Sequence, residues 1–276
     1  MTVANEKALR EILAFYQEAG VDAAVGDTPV DRLAEREPAP PAPAPAPPSR
    51  PVVAATPVRT LLPQDLANNK GPAPPSPDAA IMAAREAART AADLDELRAI
   101  LDRFEGCALR ATASQLVFGR GNPQSRVMFV GEAPGYEEDK SGLPFVGRSG
   151  HLLDRMMAAI GLDESNAYVA NIVPWRPPGN RTPTPQESAI CLPFITRQIE
   201  LTSANILVCL GGPSAQTLLN IREGITKSRG RWHPFQAGSR EVRALATFHP
   251  AFLLRSPLQK RLAWRDFLAL KKALAT

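Results

Sequence analysis

Glu132, Glu138, Phe145, Asn171 and His249 are the residues of this chain whose types suit bond cleavage or ligand reading, and all fall at the ends of apolar runs or in the loops beside them. A carboxylate can position water and stabilise a developing cation, and an imidazole can donate to a leaving group. A carboxamide sets one acceptor beside one donor, enough to read a hydrogen-bonding edge. An aromatic ring on a loop supplies a stacking face. Plainer roles stay open for each type. Phe145 is equally at home in a core, and Asn171 can cap a turn at a strand end. Glu137 and Asp139, beside Glu138, read as solvated or helix-capping residues. Of the three histidines, His249 stands out by its place before Pro250, whereas His151 falls on a helical pattern and His233 beside Trp232.

These residues need elements to position them, and the stretch RVMFVGEAPGYEEDKSGLPFVGRSG, residues 126–150, shows how. Residues 126–130 are β-branched and apolar, the pattern of a buried strand. The strand stops at a Gly- and Pro-containing turn that allows close backbone approach to a ligand. Further on, the same alternation predicts helix 149–160, strand 168–173, helix 186–201, strand 205–209, helix 213–219, strand 243–246 and helix 260–274. That order specifies an α/β fold, a three-layer α/β/α sandwich with a central, mostly parallel sheet. Parallel strands bring the loops after all four strands to one sheet edge, where open α/β sheets bind ligands.

The segments GEAPGYEED, PFVGRSG, NIVPWRPPGNRTP and HPAFLLR, in this order and spacing, resemble the family 4 uracil-DNA glycosylases over roughly residues 106–274. The resemblance implies the uracil-DNA glycosylase fold and hydrolysis of the N-glycosidic bond of deoxyuridine, leaving an abasic site for base excision repair. It makes Glu132 and His249 the catalytic pair, the first for water and the sugar cation, the second for uracil O2. Uracil would be held by Gly131, Ala133, Glu138, Phe145 and Asn171, with Phe145 stacking and Asn171 matching N3–H and O4. Glu138 would lie near the base and help to exclude thymine's methyl group. DNA contacts fall to Arg176, Arg181, Ser214, Leu253 and Arg255. Leu253 is the apolar wedge for the space left by a flipped base. Asn180, Lys227, Arg229 and Arg231 join the phosphate candidates as a group. Ser149 and Ser214 stand at helix starts, where capping is the alternative.

The family typically holds a [4Fe–4S] cluster through four cysteines. Here Cys107 and Cys191 match two of those positions, while Arg110 and Trp175 stand at the other two. A four-iron cluster ordinarily needs four protein ligands, so the expectation is no cofactor. Cys209, in an expected buried strand, reads as a core residue.

Composition bounds the rest. Residues 1–100 hold 10 Lys/Arg against 14 Asp/Glu, and residues 101–276 hold 22 against 14, a basic globular part suited to a polyanion. Three cysteines suit a reducing compartment and no apolar run reaches the length of a membrane span, so a cytoplasmic, nucleoid-associated monomer is expected. The domain reading is an N-terminal helix over 1–22, a Pro/Ala-rich linker over 23–77 and a catalytic domain over 78–276 with a leading helix over 78–105. The first helix either docks a protein partner or packs on its own domain. The expected substrate is uracil-containing DNA, single- or double-stranded. The alternative function is a non-catalytic or uracil-trapping DNA-binding module recruited by its tail. A trapping histidine is missing from the loop after GEAPG, and a small-molecule hydrolase would need a nucleophile elbow or a metal cluster.

Overall fold

The computed structural model describes residues 77–275. The helix expected over 1–22 and nearly all of the linker expected over 23–77 lie outside the described residues.

Residues 79–104, which read as one helix or two, form two: α1 (Pro77–Thr90) and α2 (Leu94–Arg103). Asp93 makes the break. Its backbone is extended and its Oδ1 accepts the Glu96 N–H at 2.8 Å, while Glu96 Oε2 accepts the Ala92 N–H at 2.8 Å. A cap of this kind is worth about 1 kcal/mol, enough to decide where a helix starts.

The sheet has six strands in the order β1-β3-β2-β4-β6-β5. They are β1 (Arg120–Gly121), β2 (Val127–Gly131), β3 (Tyr168–Asn171), β4 (Ile206–Leu210), β5 (Trp232–Ala237) and β6 (Arg240–Thr247). The central four pair in parallel, and β1 and β5 add antiparallel edges. Sequence periodicity did not find β5, because Pro234 interrupts it and its outward positions are polar or exposed. An edge strand tolerates proline, since one of its sides has no ladder to serve.

Seven further helices cover the sheet and its ends: α3 (Tyr136–Ser141), α4 (Arg148–Ala158), α5 (Pro185–Leu201), α6 (Gly212–Leu219), α7 (Ile225–Ser228), α8 (Pro250–Arg255) and α9 (Lys260–Leu274). Alternate residues of β2 serve opposite cores. Met128 and Val130 join Leu97, Phe194 and Ile195 on one face, and Val127 and Phe129 join Leu153, Met157 and Phe267 on the other. A strand buried on both faces must be apolar throughout, which is why 126–130 reads as a run and not an alternation. Burial of one such side chain contributes roughly 1.5–3 kcal/mol. Among the described residues no helix is long and apolar enough to cross a membrane.

Candidate active site

The carboxyl ends of β2, β3, β4 and β6 open onto a cleft of about 560 Å3, lined by Glu132, Phe145, Asn171, Arg181, Gly211 and His249 among others. All four strand-end loops therefore meet, as parallel pairing requires.

At the end of β2, a Cβ added to Gly131 would lie 2.4 Å from Asn171 Oδ1 and 2.6 Å from Phe145 Cζ. Only glycine lets those two side chains face each other there. Asn171 is 4% exposed, and its Oδ1 has no hydrogen-bond partner. Leaving a buried acceptor unmatched costs about 1–3 kcal/mol. Phe145 is 5% exposed yet holds φ at 56°, the left-handed region. For an L-residue that conformation costs on the order of 1–2 kcal/mol. Two such costs at one pocket point to a ligand rather than to packing. The Phe145 ring also stacks on His249, with centroids 5.5 Å apart and planes 29° off parallel. It is buried like a core residue and forms a wall of the cleft as well.

His249 caps α8: its Nδ1 accepts the Ala251 N–H at 3.1 Å. The neutral ring must then carry its proton on Nε2. Burial, helped by the Arg255 charge and opposed by Glu138, pushes the imidazole pKa down to about 4. At neutral pH His249 is thus an uncharged donor. Glu132 lies on the same cleft, and burial raises its carboxyl above the usual glutamate range.

Glu138 lines the cleft, but its oxygens are occupied. Oε2 accepts the Gly135 N–H at 3.1 Å and Oε1 accepts the Gly147 N–H at 3.0 Å. The carboxylate joins the loop after β2 to the loop that carries Phe145. The acidic run expected as loop is the short helix α3, and Glu138 forms part of its capping box. Asp139 corrects another expectation. It is not solvated but 3% exposed, accepting the Ser114 and Gln115 N–H groups at 2.8 and 3.4 Å.

The DNA-contact candidates divide. Ser214 is fully buried and its Oγ donates to Val130 O at 2.7 Å, so it joins α6 to β2 and cannot meet a phosphate. Leu253 is 1% exposed and packs with Phe248 and Ala263, so it presents no surface to insert into a duplex. One position along α8 turns a side chain by about 100°, and Leu254, 37% exposed, is the outward apolar residue instead. Arg176 donates to Asn180 Oδ1 at 2.7 Å and lies over the ring of Tyr136, 50% exposed, a surface aromatic that the acidic run concealed in the sequence. Arg181 forks onto Glu187 at 2.7 and 2.8 Å while lining the cleft. Arg255 is exposed at the cleft mouth. Of the remaining basic group, Arg229 is tied to Asp266 and Leu262 O, and Arg231 pairs with Glu223 at 3.3 Å. Lys227 is exposed.

Cys107 and Cys191 are both buried, and the two thiols shift each other's proton affinity, lowering the Cys107 pKa and pushing Cys191 well up. Arg110 turns away to donate to Asp102 O through Nε at 3.1 Å and Nη2 at 2.5 Å. Trp175 is 2% exposed, among the largest fully buried side chains. Two thiols, a guanidinium and a packed indole do not supply four thiolates, so these residues do not fit a four-iron cluster. Cys209 is buried in β4, and burial raises its thiol to about 12.

Comparison with known proteins follows the same lines. Residues 118–268 match the family model described as uracil DNA glycosylase superfamily. A type-4 uracil-DNA glycosylase of Archaeoglobus fulgidus is 36% identical over 178 residues, covering 63% of this chain and 89% of the relative. One from Thermotoga maritima is 41% identical over 151 residues, covering 54% of this chain and 77% of the relative. A type-5 uracil-DNA glycosylase of Mycobacterium tuberculosis is 31% identical over 167 residues, covering 51% and 62%.

Proposed function

The chain belongs to the uracil DNA glycosylase superfamily, and from that premise we propose how its cleft works. The enzyme removes uracil from DNA by hydrolysing the N-glycosidic bond, the activity for which its type-4 relatives are named. The observation that carries the proposed site is the unmatched, buried Asn171 Oδ1 facing Phe145 across Gly131.

A flipped uracil stacks on Phe145. Asn171 Oδ1 accepts its N3–H and Nδ2 donates to its O4. Cytosine presents an acceptor at N3 and a donor at C4, so the same amide rejects it. As the C1′–N1 bond lengthens, its electron pair moves onto uracil and charge gathers at O2. The Nε2–H of neutral His249 and the backbone beside Ala133 stabilise that charge. Glu132, as carboxylate, faces the oxocarbenium-like sugar and orients the water whose oxygen bonds C1′. One proton of that water stays on the new C1′ hydroxyl, the other passes to the carboxylate, and the departing uracil anion takes up a proton from solvent. Products are free uracil and an abasic site. Arg255 and Leu254 at the mouth suit contact with the flanking strand. Glu138 acts by fixing the loops that carry Glu132 and Phe145.

The type-4 family is known for an iron–sulfur cluster. We infer that this chain carries none, with the Arg110–Asp102 tie and the Trp175 packing in its place. Iron and sulfide analysis of freshly purified protein tests this, and stoichiometric iron would sink it. For the N-terminal helix expected over 1–22 we propose a role in docking a protein partner or in packing on its own domain, outside the chemistry.

The function is tested by excision from a labelled single-uracil oligonucleotide followed by alkali, with Glu132→Ala alongside. Strand cleavage by the wild type and not by the variant is expected. Tight binding without cleavage would favour a non-catalytic module instead, and a shifted band on a denaturing gel a covalent trap.

A further inference from the structure

Phe145 holds a left-handed backbone conformation inside the loop between α3 and α4, with φ at 56°. Something outside the loop must maintain it. Two features do so. The first is Gly150 in the opening turn of α4, where an added Cβ would lie 1.8 Å from Phe145 O. The second is Arg120 on the edge strand β1, 8% exposed. Its Nε donates to Pro144 O at 2.8 Å and its Nη2 to Phe145 O at 3.3 Å. The rest of its donors reach Asp154 and Glu164.

The partners differ in what they need. The Asp154 and Glu164 side chains are 43% and 67% exposed, so water can serve both without Arg120. Ion pairs to such exposed carboxylates add little by themselves. The carbonyls of Pro144 and Phe145 lie in buried residues. Arg120 therefore matters chiefly to the backbone that aims the Phe145 ring.

We propose that Arg120 is a positioning residue for uracil excision, holding Phe145 in the conformation that presents its ring to the base. The guanidinium fork suits this task because its donors sit in one rigid plane and meet two successive carbonyls together. The inference rests on the excision reading given above.

The test is a double-mutant cycle read by single-turnover uracil release, with thermal unfolding measured on the same proteins. Arg120→Met in the wild-type background should slow release by roughly 10–100-fold, the scale of an ångström-sized misplacement. In a Phe145→Ala background the same change should alter the rate by less than about twofold, because the ring it aims is gone. Its effect on the unfolding midpoint should be the same in both backgrounds. An equal rate loss in both backgrounds would overturn the proposal, as would a wild-type rate for Arg120→Met. If Arg120→Met does not fold, Arg120→Lys takes its place, keeping the charge but not the fork. A rate between wild type and Phe145→Ala is then expected, and a wild-type rate overturns the proposal. No release by the wild-type protein would sink the excision reading itself. An active wild type with uncoupled variants would remove only the role of Arg120.

Discussion

Asn171 and His249 do their work through one atom or two, and their effects belong to the residue scale. Asn171→Asp replaces a donor by an acceptor facing uracil O4, so uracil release should fall while the ratio of cytosine to uracil release rises. Matched single-base oligonucleotides measure it, and an unchanged ratio would place base reading elsewhere. His249→Ala removes one donor to the leaving group. A loss of roughly 10²–10³ in single-turnover rate is expected, short of abolition, because backbone donors share the charge. The pH profile separates the two catalytic groups. Burial raises the Glu132 pKa, and the carboxylate is the working form, so activity should fall on acidification at a pH above the ordinary glutamate range. His249, neutral down to about pH 4, should add no inflection near 6.5. The unfolded chain takes up a proton on this histidine near its ordinary pKa, and the native protein does not until about pH 4. Native stability is therefore lost as pH falls through that interval, and His249→Ala should flatten the loss in acid unfolding curves.

At the scale of elements, two capping carboxylates have opposite consequences. Asp93 starts α2, far along the chain from the cleft. Asp93→Ala should cost about 1 kcal/mol in unfolding free energy and leave the excision rate per folded molecule unchanged. Glu138 also caps a helix, α3, but its second oxygen holds Gly147 on the loop of Phe145. Glu138→Gln turns a donor toward an N–H, so it should cost about 1–3 kcal/mol and slow excision too. A variant that lost stability while keeping its rate would show that the two loops hold their places without this carboxylate. The hydrogen bonds that order the cleft loops, from the Gly135 and Gly147 N–H groups to Glu138 and from the Ala251 N–H to His249, do not involve Cys107, Cys191, Arg110 or Trp175.

The whole molecule sets affinity. Residues 101–276 carry eight more basic than acidic groups, so binding to uracil-DNA should weaken steeply as salt rises. Several arginines in that surplus are already spent within the fold: Arg120, Arg229 and Arg240 bond to buried or backbone partners. The salt slope should accordingly be smaller than the raw count of basic residues implies. Removing residues 1–75 should leave excision from naked oligonucleotides nearly unchanged, whereas a large loss would move the domain boundary. Much of this architecture was legible beforehand. Apolar runs ending in Gly, Pro and charged residues are local patterns, and they determined the four central strands, the longer helices between them, the parallel pairing and the edge at which Glu132, Phe145, Asn171 and His249 meet. They did not determine the edge strands β1 and β5 or the short helices α3, α7 and α8. The sequence offered Asp93 or Thr90 as the start of a second helix, and the structure places the cap at Asp93. Tertiary structure alone decided which way the side chains in those loops point and what they meet. Ser214 turns to Val130, Leu253 inward and Leu254 outward, Asp139 beneath Ser114, and Arg120 onto a loop 24 residues away. Periodicity records burial averaged over neighbours in the chain, but a hydrogen bond or a packed face depends on partners brought together only when distant segments fold.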